Sequence, residues 1–430
     1  MPKPLFLAGA AAVPISPLPQ HLEGRLYLGG YDGYLGRPAS GVHDPLFARA
    51  LVLSHGGTTL ALVALDLVGM ANSHIARIRR PAARRLGLPE RSVLVACTHS
   101  HASPDLQGLW GGVSPDYAAH IRRRAVNALV QAADGLREVT LRAATVPAKG
   151  RSINRRGWPE TDEALTVLQV RDRHKNAVAT LVNFAAHPTV TQAENRLISR
   201  DFPGALVDRL EAELGGLALF VNADQGDANP NVSGDFGVAQ SYGDELAGDA
   251  VRALKKAQDI SPPLQVLSRD VDIPLANPRL RLPPPLVLQG FLAAVRGLAG
   301  PGALRWLAGR YAQQDRAFVF AGMGLLAEHP VSVRDGRLVL RTRASRLRVG
   351  GELAGLAAPG EVLTHLGTAL RARLNAPATL FLGLTNDTLG YFIPPDEWMT
   401  GRNGNYEESV SLGPLAAPTL ERAVEDLLGR

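Results

Sequence analysis

The sequence predicts an α/β fold in which a mixed β-sheet core is flanked by helices. Short apolar runs rich in β-branched residues alternate with longer segments of helical periodicity along much of the chain. Two pairs of apolar runs are separated by a glycine turn or a polar turn, and both patterns are typical of β-hairpins. Hairpins join antiparallel strands, whereas strand–helix–strand units join parallel strands, so a sheet that contains both is mixed.

The predicted elements begin and end at recognisable signals. Asn72 can cap a helix and Gly87 can end it, while Gly56-Gly57 and residues 171–176 form the two hairpin turns. In the first half the predicted elements are a strand within 1–13, strands 44–53 and 58–65, a helix 72–86, a strand 92–97, a helix 115–133 and a strand 139–146. In the second half they are strands 165–170 and 177–184, a helix 201–214, a strand 217–221, a helix 236–257, strands 264–273, 336–340 and 346–353, a helix 359–374 and a strand 379–384.

Length and composition indicate a single domain over residues 1–430, with residues 274–330 as a helical insertion or lid. The chain is 46% hydrophobic, which is enough for a large core. No apolar run reaches the roughly 20 residues that a transmembrane segment needs. The N-terminal run continues into Pro14 without a processing segment and is interpreted as a strand; with the lone Cys97, this favours a cytoplasmic protein. The oligomeric state is not indicated.

The formal net charge of +6 bears on the partners of the protein. Its arginines, as in Arg77 to Arg80 and Arg122 to Arg124, alternate with apolar positions at helical spacing. This pattern is typical of solvated helix faces, so nucleic acid is not predicted as a partner. An anionic substrate or peripheral contact with a membrane surface is compatible with the charge.

Four predicted strands end in polar clusters, and these clusters are the candidate site. They are His99 with His101, His187, Asp224 with Asp227 and Asn229, and Asn386 with Asp387 and Tyr391. Sites in open α/β sheets form where the carboxyl ends of strands converge, so one shared site is expected. Two neutral histidines and one carboxylate suit a catalytic zinc, although a His-X-His pair by itself is also typical of loop histidines that bond to backbone. Spacing does not choose the acid among Asp224, Asp227, Glu361 and Asp387.

Ten segments, in order along nearly the whole chain, resemble the catalytic N-terminal domain of the neutral/alkaline non-lysosomal ceramidases. They are Gly9 to Pro17, Asp44 to Ala50, Thr98 to Pro104, Ile153 to Arg155, Asn183 to His187, Asp201 to Gly204, Gly226 to Asn231, Pro359 to Glu361, Asn386 to Tyr391, and Tyr406-Glu407. The resemblance implies a ceramidase-like fold and zinc-dependent hydrolysis of a small-molecule or lipid N-acyl amide, in which metal-activated water attacks and a nearby base transfers the proton.

The resemblance also implies which residues act. The zinc ligands would be His99, His187, Glu361 and Tyr391, with His101, Arg155 and Tyr406 as catalytic residues on the substrate side. Three alternatives stay open. Tyr391 can donate to a developing oxyanion instead of binding zinc, and Glu361 can be an ordinary first-turn helix glutamate. Asp227 can orient a ligand histidine or cap backbone amides in a loop.

Two departures from the family pattern limit what the resemblance implies. Asn229 stands where the family motif has serine, and a carboxamide is not a nucleophile at neutral pH. The chain ends at Arg430, so no C-terminal immunoglobulin-like domain is expected. The alternatives to a ceramidase-like amidase are therefore a zinc hydrolase of an ester or a non-lipid N-acyl compound, and a non-catalytic lipid- or carbohydrate-binding relative.

Overall fold

The computed structural model describes residues 5–24, 26–31, 36–278, 329, 331–399 and 406–429. The predicted insertion or lid at 274–330 lies outside these residues, apart from 274–278 and 329. The described helices are α1 (Pro19–Leu22), α2 (Asn72–Leu86), α3 (Pro115–Asp134), α4 (Phe202–Leu214), α5 (Phe236–Leu254), α6 (Thr364–Ala372), α7 (Tyr406–Val410) and α8 (Ala416–Leu428). No described helix is long and apolar enough to cross a membrane.

The long strands follow the predicted apolar runs, whereas the short strands were not predicted. In the first half of the chain they are β1 (Phe6–Pro14), β2 (Tyr27–Leu28), β3 (Arg37–Pro38), β4 (Gly41–Val42), β5 (Phe47–His55), β6 (Thr58–Leu65), β7 (Val93–Cys97), β8 (Arg137–Pro147), β9 (Ser152–Asn154), β10 (Ala164–Asp172), β11 (Ala177–Phe184) and β12 (Leu197–Ile198). In the second half they are β13 (Leu217–Asn222), β14 (Ala228–Pro230), β15 (Gln258–Ile260), β16 (Leu264–Pro274), β17 (Val331–Arg334), β18 (Arg337–Val349), β19 (Leu353–Ala357), β20 (Glu361–Val362), β21 (Ala378–Leu382) and β22 (Tyr391–Phe392).

A nine-stranded sheet forms the centre of the molecule and is mixed, as predicted. Its strands lie in the order β13-β11-β10-β8-β1-β5-β6-β7, with β15 added beside β8. The two predicted hairpins, β5–β6 and β10–β11, are antiparallel. The pairs β6–β7 and β11–β13 are parallel, and helices α2 and α4 form their crossovers. The predicted fold class is therefore confirmed.

Helices cover one face of this sheet and a second sheet covers the other. Helix α3 buries Tyr117, Ile121, Ala125 and Leu129, whose spacing of four residues makes one apolar stripe. Helices α4 and α5 cover the other half of the same layer in a separate apolar cluster. The opposite face packs on a five-stranded sheet, β16-β18-β19-β21 with β17 beside β18.

The carboxyl ends of β7, β11, β13 and β21 meet although β7 and β13 lie at opposite ends of the sheet order. Asn222, the last residue of β13, donates from Nδ2 to the carbonyl of Thr98 just beyond β7 (3.2 Å) and to that of Ala186 just beyond β11 (2.9 Å). The amide of Gly383, just beyond β21, donates to the carbonyl of Asn222 (3.0 Å). The four strand ends singled out in the sequence therefore converge.

Three sequence predictions in the second half were wrong in detail. Helix α5 ends at Leu254, because residues 258–260 pair with β8 instead of continuing the helix. The predicted strands 336–340 and 346–353 are a single strand, β18, followed by β19. The helix predicted from Pro359 begins only at Thr364, because the amide of Glu361 donates to the carbonyl of Gly390 (2.9 Å) and Glu361 lies in β20.

Candidate metal centre

His99 is held by the loop that follows β6 and points its Nε2 atom into the centre. Its φ of 75° lies in the left-handed region, which turns the chain sharply at the end of β7. The backbone amide of His99 donates to Leu67 (2.9 Å), and its Nδ1 atom is hydrogen-bonded to the carbonyl of Val68. A carbonyl only accepts, so Nδ1 carries the proton and the lone pair of Nε2 is free for a metal.

His187 is oriented in the same way by a backbone carbonyl. Both its amide (2.9 Å) and its Nδ1 atom (3.1 Å) are within hydrogen-bond distance of the carbonyl of Ala228 in β14. The side chain is fully buried. Burial and the charge of Arg155 lower the pKa of His187 to about 4, so the ring is neutral near pH 7.

Glu361 joins the two histidines from strand β20, which forms a separate two-stranded sheet with β22. Strand β20 pairs with β22 so that Glu361 lies opposite Tyr391. The Oε2 atom of Glu361 is 3.3 Å from Nε2 of His99 and 3.0 Å from Nε2 of His187. Burial alone raises the pKa of Glu361, but the two histidines outweigh it and hold this pKa well below its usual range. Glu361 is therefore an ionised acceptor in a strand, and its alternative as a first-turn helix glutamate is wrong.

His101 lies beside this group on the cavity side. Its Nε2 atom is 3.2 Å from Nε2 of His99, and its Nδ1 atom is buried without a hydrogen-bond partner in the described part of the chain. Burial and the neighbouring histidines hold the pKa of His101 well below its usual value, so the ring is neutral. Gly30 makes room for it, because a Cβ there would approach the ring to 2.2 Å.

Arg155 and Tyr391 form a hydrogen-bonded pair next to the histidines. The Nη2 atom of Arg155 donates to the Tyr391 hydroxyl (3.0 Å) and to the carbonyl of Gly226 (2.8 Å), while Nε donates to Glu407 (2.8 Å). Burial lowers the pKa of Arg155, but Tyr391 and Glu407 outweigh that effect, so the pKa is raised and the guanidinium stays charged. Burial raises the pKa of Tyr391 well above its usual value.

Tyr406 lies at the mouth of the site. Its ring centroid is 6.0 Å from that of Tyr391, and the side chain is 39% exposed, unlike the buried groups below it. An open cavity of about 260 Å³ is lined by Gly30, Tyr31, His101, Arg155, Thr189, Gln192, Asn229, Tyr391 and Tyr406. The three residues predicted on the substrate side, His101, Arg155 and Tyr406, therefore share one cavity.

The residues fit a zinc ion by their chemistry. Ring nitrogens of His99, His101 and His187 lie within 4.8 Å of one another, and Glu361 contacts two of them. Two imidazole nitrogens locked by backbone carbonyls, with one ionised carboxylate, are a donor set that zinc prefers. A space of about 10 Å³, close to the minimum that one water molecule needs, is lined by His99, His101, Glu361 and Tyr391 among others.

Asp224 and Asp387, two of the four candidate acids, lie outside the centre. The prediction that all four polar clusters share one site was therefore wrong for these two acids. Asp224 contacts the guanidinium of Arg371 in a buried ion pair. Asp387 accepts from Nε2 of His329 (2.7 Å) and from the amide of Asn72 (3.1 Å). Both carboxylates find cationic or amide partners outside the centre, and spacing along the chain does not reveal such partners.

Asp227 caps a helix, and neither His99 nor His187 is among its hydrogen-bond partners in the described part of the chain. Its Oδ1 atom accepts from the amide (2.8 Å) and the hydroxyl (2.7 Å) of Thr364, the first residue of α6. Its backbone carbonyl accepts from the amide of Arg155 (2.8 Å). Asp227 therefore fixes two segments of the site, those of Glu361 and Arg155, from a capping position.

The sequence predicted no role for several groups that shape the site, although Glu407 lies in one of the ten matching segments. Glu407 binds Arg155, and its neighbour Glu408 binds Arg156 (2.8 Å). Two adjacent glutamates therefore form ion pairs with two adjacent arginines. The adjacent Arg-Arg and Glu-Glu pairs are the signal that could have found them. The carbonyls of Val68 and Ala228 leave no sequence signal, because every residue has a carbonyl.

Comparisons with known proteins bear on the family and the fold of the chain. A family model described as neutral/alkaline non-lysosomal ceramidase, N-terminal, matches residues 25–245. The neutral ceramidase from Pseudomonas aeruginosa is similar in structure, with a TM-score of 0.75 and 19% identity over 99% of this chain and 74% of that chain. A ceramidase complexed with C2 is similar with a TM-score of 0.74 and 20% identity over 99% of this chain and 75% of that chain. A search of curated protein sequences returned no match.

The structural likenesses show a shared fold, and the family model covers half of the sequence. The resemblance predicted from the ten segments is thereby confirmed. The chain belongs to the neutral/alkaline non-lysosomal ceramidase family.

Proposed function

We propose that the protein is a zinc-dependent amidohydrolase that cleaves the amide bond of an N-acyl lipid of the ceramide type. Family membership indicates a hydrolase and supports this substrate class. The observation that carries the metal assignment is the position of Glu361 Oε2, 3.3 Å from His99 Nε2 and 3.0 Å from His187 Nε2. Tyr391, opposite Glu361 in the β20–β22 pair, is the proposed fourth ligand.

In this proposal the metal site and His101 have different chemical roles. A zinc ion held by His99, His187, Glu361 and Tyr391 would act as a Lewis acid that polarises the acyl carbonyl and acidifies water. His101 is neutral and lines the cavity, so it can take a proton from the attacking water and return it to the leaving amine nitrogen. Tyr31 packs edge-on against the His101 ring, with centroids 5.0 Å apart, and keeps it in place.

Arg155 supplies positive charge at the substrate side. Its guanidinium is fixed by Glu407, Gly226 and Tyr391, so it is oriented before substrate binds. Because Arg155 donates to the Tyr391 hydroxyl, the phenolic proton points away from Arg155 and can be donated elsewhere. That is the alternative role for Tyr391, as a donor to the oxyanion.

Asn229 is proposed to position the substrate. It lines the same cavity, and its Oδ1 atom is buried with no donor in the described part of the chain. A buried carbonyl oxygen without a partner is costly, and an amide N–H or a hydroxyl of the substrate would satisfy it.

The hydrolase proposal is tested by metal analysis together with a substrate panel. We expect one zinc per chain, lost in His187→Ala, and release of fatty acid from N-acyl sphingosines of short and long chain. N-acyl amino acids and simple esters are the matched alternatives. Hydrolysis of those compounds without turnover of any sphingosine amide would overturn the lipid assignment and leave the metal centre standing; a metal-free protein would overturn the zinc proposal.

Replacing Asn229 by leucine is expected to lower kcat/KM by about 10- to 100-fold, because the substrate donor is then buried without an acceptor. The side chains are similar in size, so the fold is retained. Asn229→Asp keeps the acceptor and is the matched control in steady-state kinetics. Equal activity of Asn229→Leu and the unchanged protein would contradict the proposed contact.

A further inference from the structure

A second cavity, of about 760 Å³, lies between α2 and the edge of the second sheet. Among the described residues, six arginines line it, and these six define the arginine cavity: Arg77, Arg79, Arg80, Arg84, Arg341 and Arg343. Two carboxylates, Glu90 and Asp270, line it as well. None of these residues belongs to the candidate metal centre.

The carboxylates of the region neutralise only part of this charge. Arg343 pairs with Asp270 (2.7 Å), and Arg80 approaches Glu90 (3.7 Å). Arg341 pairs outside the lining with Asp272 (2.8 Å). In the described ranges, Arg77, Arg79 and Arg84 have no carboxylate within ion-pair distance. The described lining of the cavity therefore has an excess of positive charge.

Arg79 is the unusual member because it is buried. Its side chain is 5% exposed, and its one hydrogen bond to a described residue is a long one, from Nη2 to Oδ1 of Asn386 (3.4 Å). Its Nε atom and the Nη1 atom of Arg343 are buried and have no acceptor in the described part of the chain. A buried guanidinium is costly unless it is paired, and natural proteins rarely leave one unpaired.

The groups next to Arg79 do not supply the ion-pair partner that its buried guanidinium lacks. Asp387 partly offsets its charge, but that carboxylate accepts from His329 and Asn72 and makes no ion pair with Arg79. Burial and the like charge of Arg343 lower the pKa of Arg79 to about 10, which leaves it charged near pH 7. The first turn of α2, with Asn72 and Ser73, adds the positive end of a helix dipole to the same wall.

We propose that the arginine cavity binds a phosphate-bearing anion. The planar guanidinium presents paired N–H donors that match two phosphate oxygens, and the free donors of Arg79 and Arg343 lie in the wall. A phosphate offers several acceptors at once and can therefore engage more than one of the arginines. The volume is sufficient for a phosphate with a substituent.

The same chemistry has two sources, a soluble phosphate compound or the headgroup of a phospholipid, and binding measurements distinguish them. Pyrophosphate is titrated into the full chain by calorimetry at low salt. Flotation is measured with phosphatidylcholine vesicles, with and without phosphatidylglycerol. Arg77→Glu reverses one charge in the cavity, and Arg123→Glu reverses one exposed charge on α3 outside it, as the matched control.

Arg77→Glu is expected to weaken binding at least about tenfold, since it loses one charged hydrogen bond, while Arg123→Glu leaves binding unchanged. Arg79→Gln tests the buried member, with a melting curve to verify folding. Saturable pyrophosphate binding with this pattern supports a soluble ligand; vesicle binding with this pattern and none of pyrophosphate supports a headgroup. Absence of both, or an equal effect of Arg77→Glu and Arg123→Glu, would overturn the proposal.

Discussion

Glu361→Gln is expected to release the metal and to lower kcat/KM by about a thousandfold or more. The carboxylate contacts Nε2 of both His99 and His187, and a carboxamide of the same shape has no charge with which to hold a cation. Mutation of a residue that only hydrogen-bonds to a metal ligand typically costs 10- to 100-fold in metal affinity, so loss of a direct ligand costs more. Metal content by mass spectrometry and steady-state kinetics on the same sample measure the effect.

Asp224→Asn is the matched control for Glu361→Gln. Both acids are buried, and spacing along the chain did not distinguish them, but Asp224 pairs with Arg371. Asp162 also pairs with Arg371, so the guanidinium keeps a carboxylate partner when Asp224 is replaced by a neutral carboxamide. We expect full metal content in Asp224→Asn. Metal retained in Glu361→Gln, or lost equally in both variants, would refute the assignment of Glu361 as a ligand.

The second large effect concerns the histidine pair after β7. His99→Ala is expected to lose the metal, because Nε2 of His99 faces Glu361 and its ring is fixed by Val68. His101→Ala is expected to keep the metal and lose about 10²- to 10⁴-fold in kcat, the usual contribution of a general acid–base group. Metal content and kcat are measured on both variants.

His21→Ala provides the control for these two variants. His21 is a buried histidine that is 3.0 Å from Asp116, outside the centre, so its loss affects stability and leaves metal content and kcat unchanged. A flattened acidic limb of the pH–rate profile in His101→Ala would distinguish proton transfer from a packing role. Because ring nitrogens of all three centre histidines lie within 4.8 Å, equal metal loss in His99→Ala and His101→Ala would instead make His101 a ligand.

Local patterns sufficed to predict most elements of the main sheet. Apolar β-branched runs became β5, β6, β7, β10, β11 and β13 because they pair side by side, and Gly87 ends α2 in the left-handed conformation as expected. Prediction failed where a distant strand competes with local propensity. Glu361 follows proline and glycine and precedes a true helix, but its amide bonds to Gly390 and places it in β20.

The sequence by itself determined the fold class, the family and the histidine and tyrosine side chains at the strand ends, because these depend on local periodicity and on ordered motifs. Spacing along the chain left the acid open, and the family resemblance implied Glu361; only the tertiary structure shows which partners each candidate acid contacts. Asp224, Asp227, Glu361 and Asp387 are alike in sequence, and their roles follow from their partners: Arg371, Thr364, two histidines and His329. Those partners are distant in the chain, so their effect on each carboxylate exists only after folding.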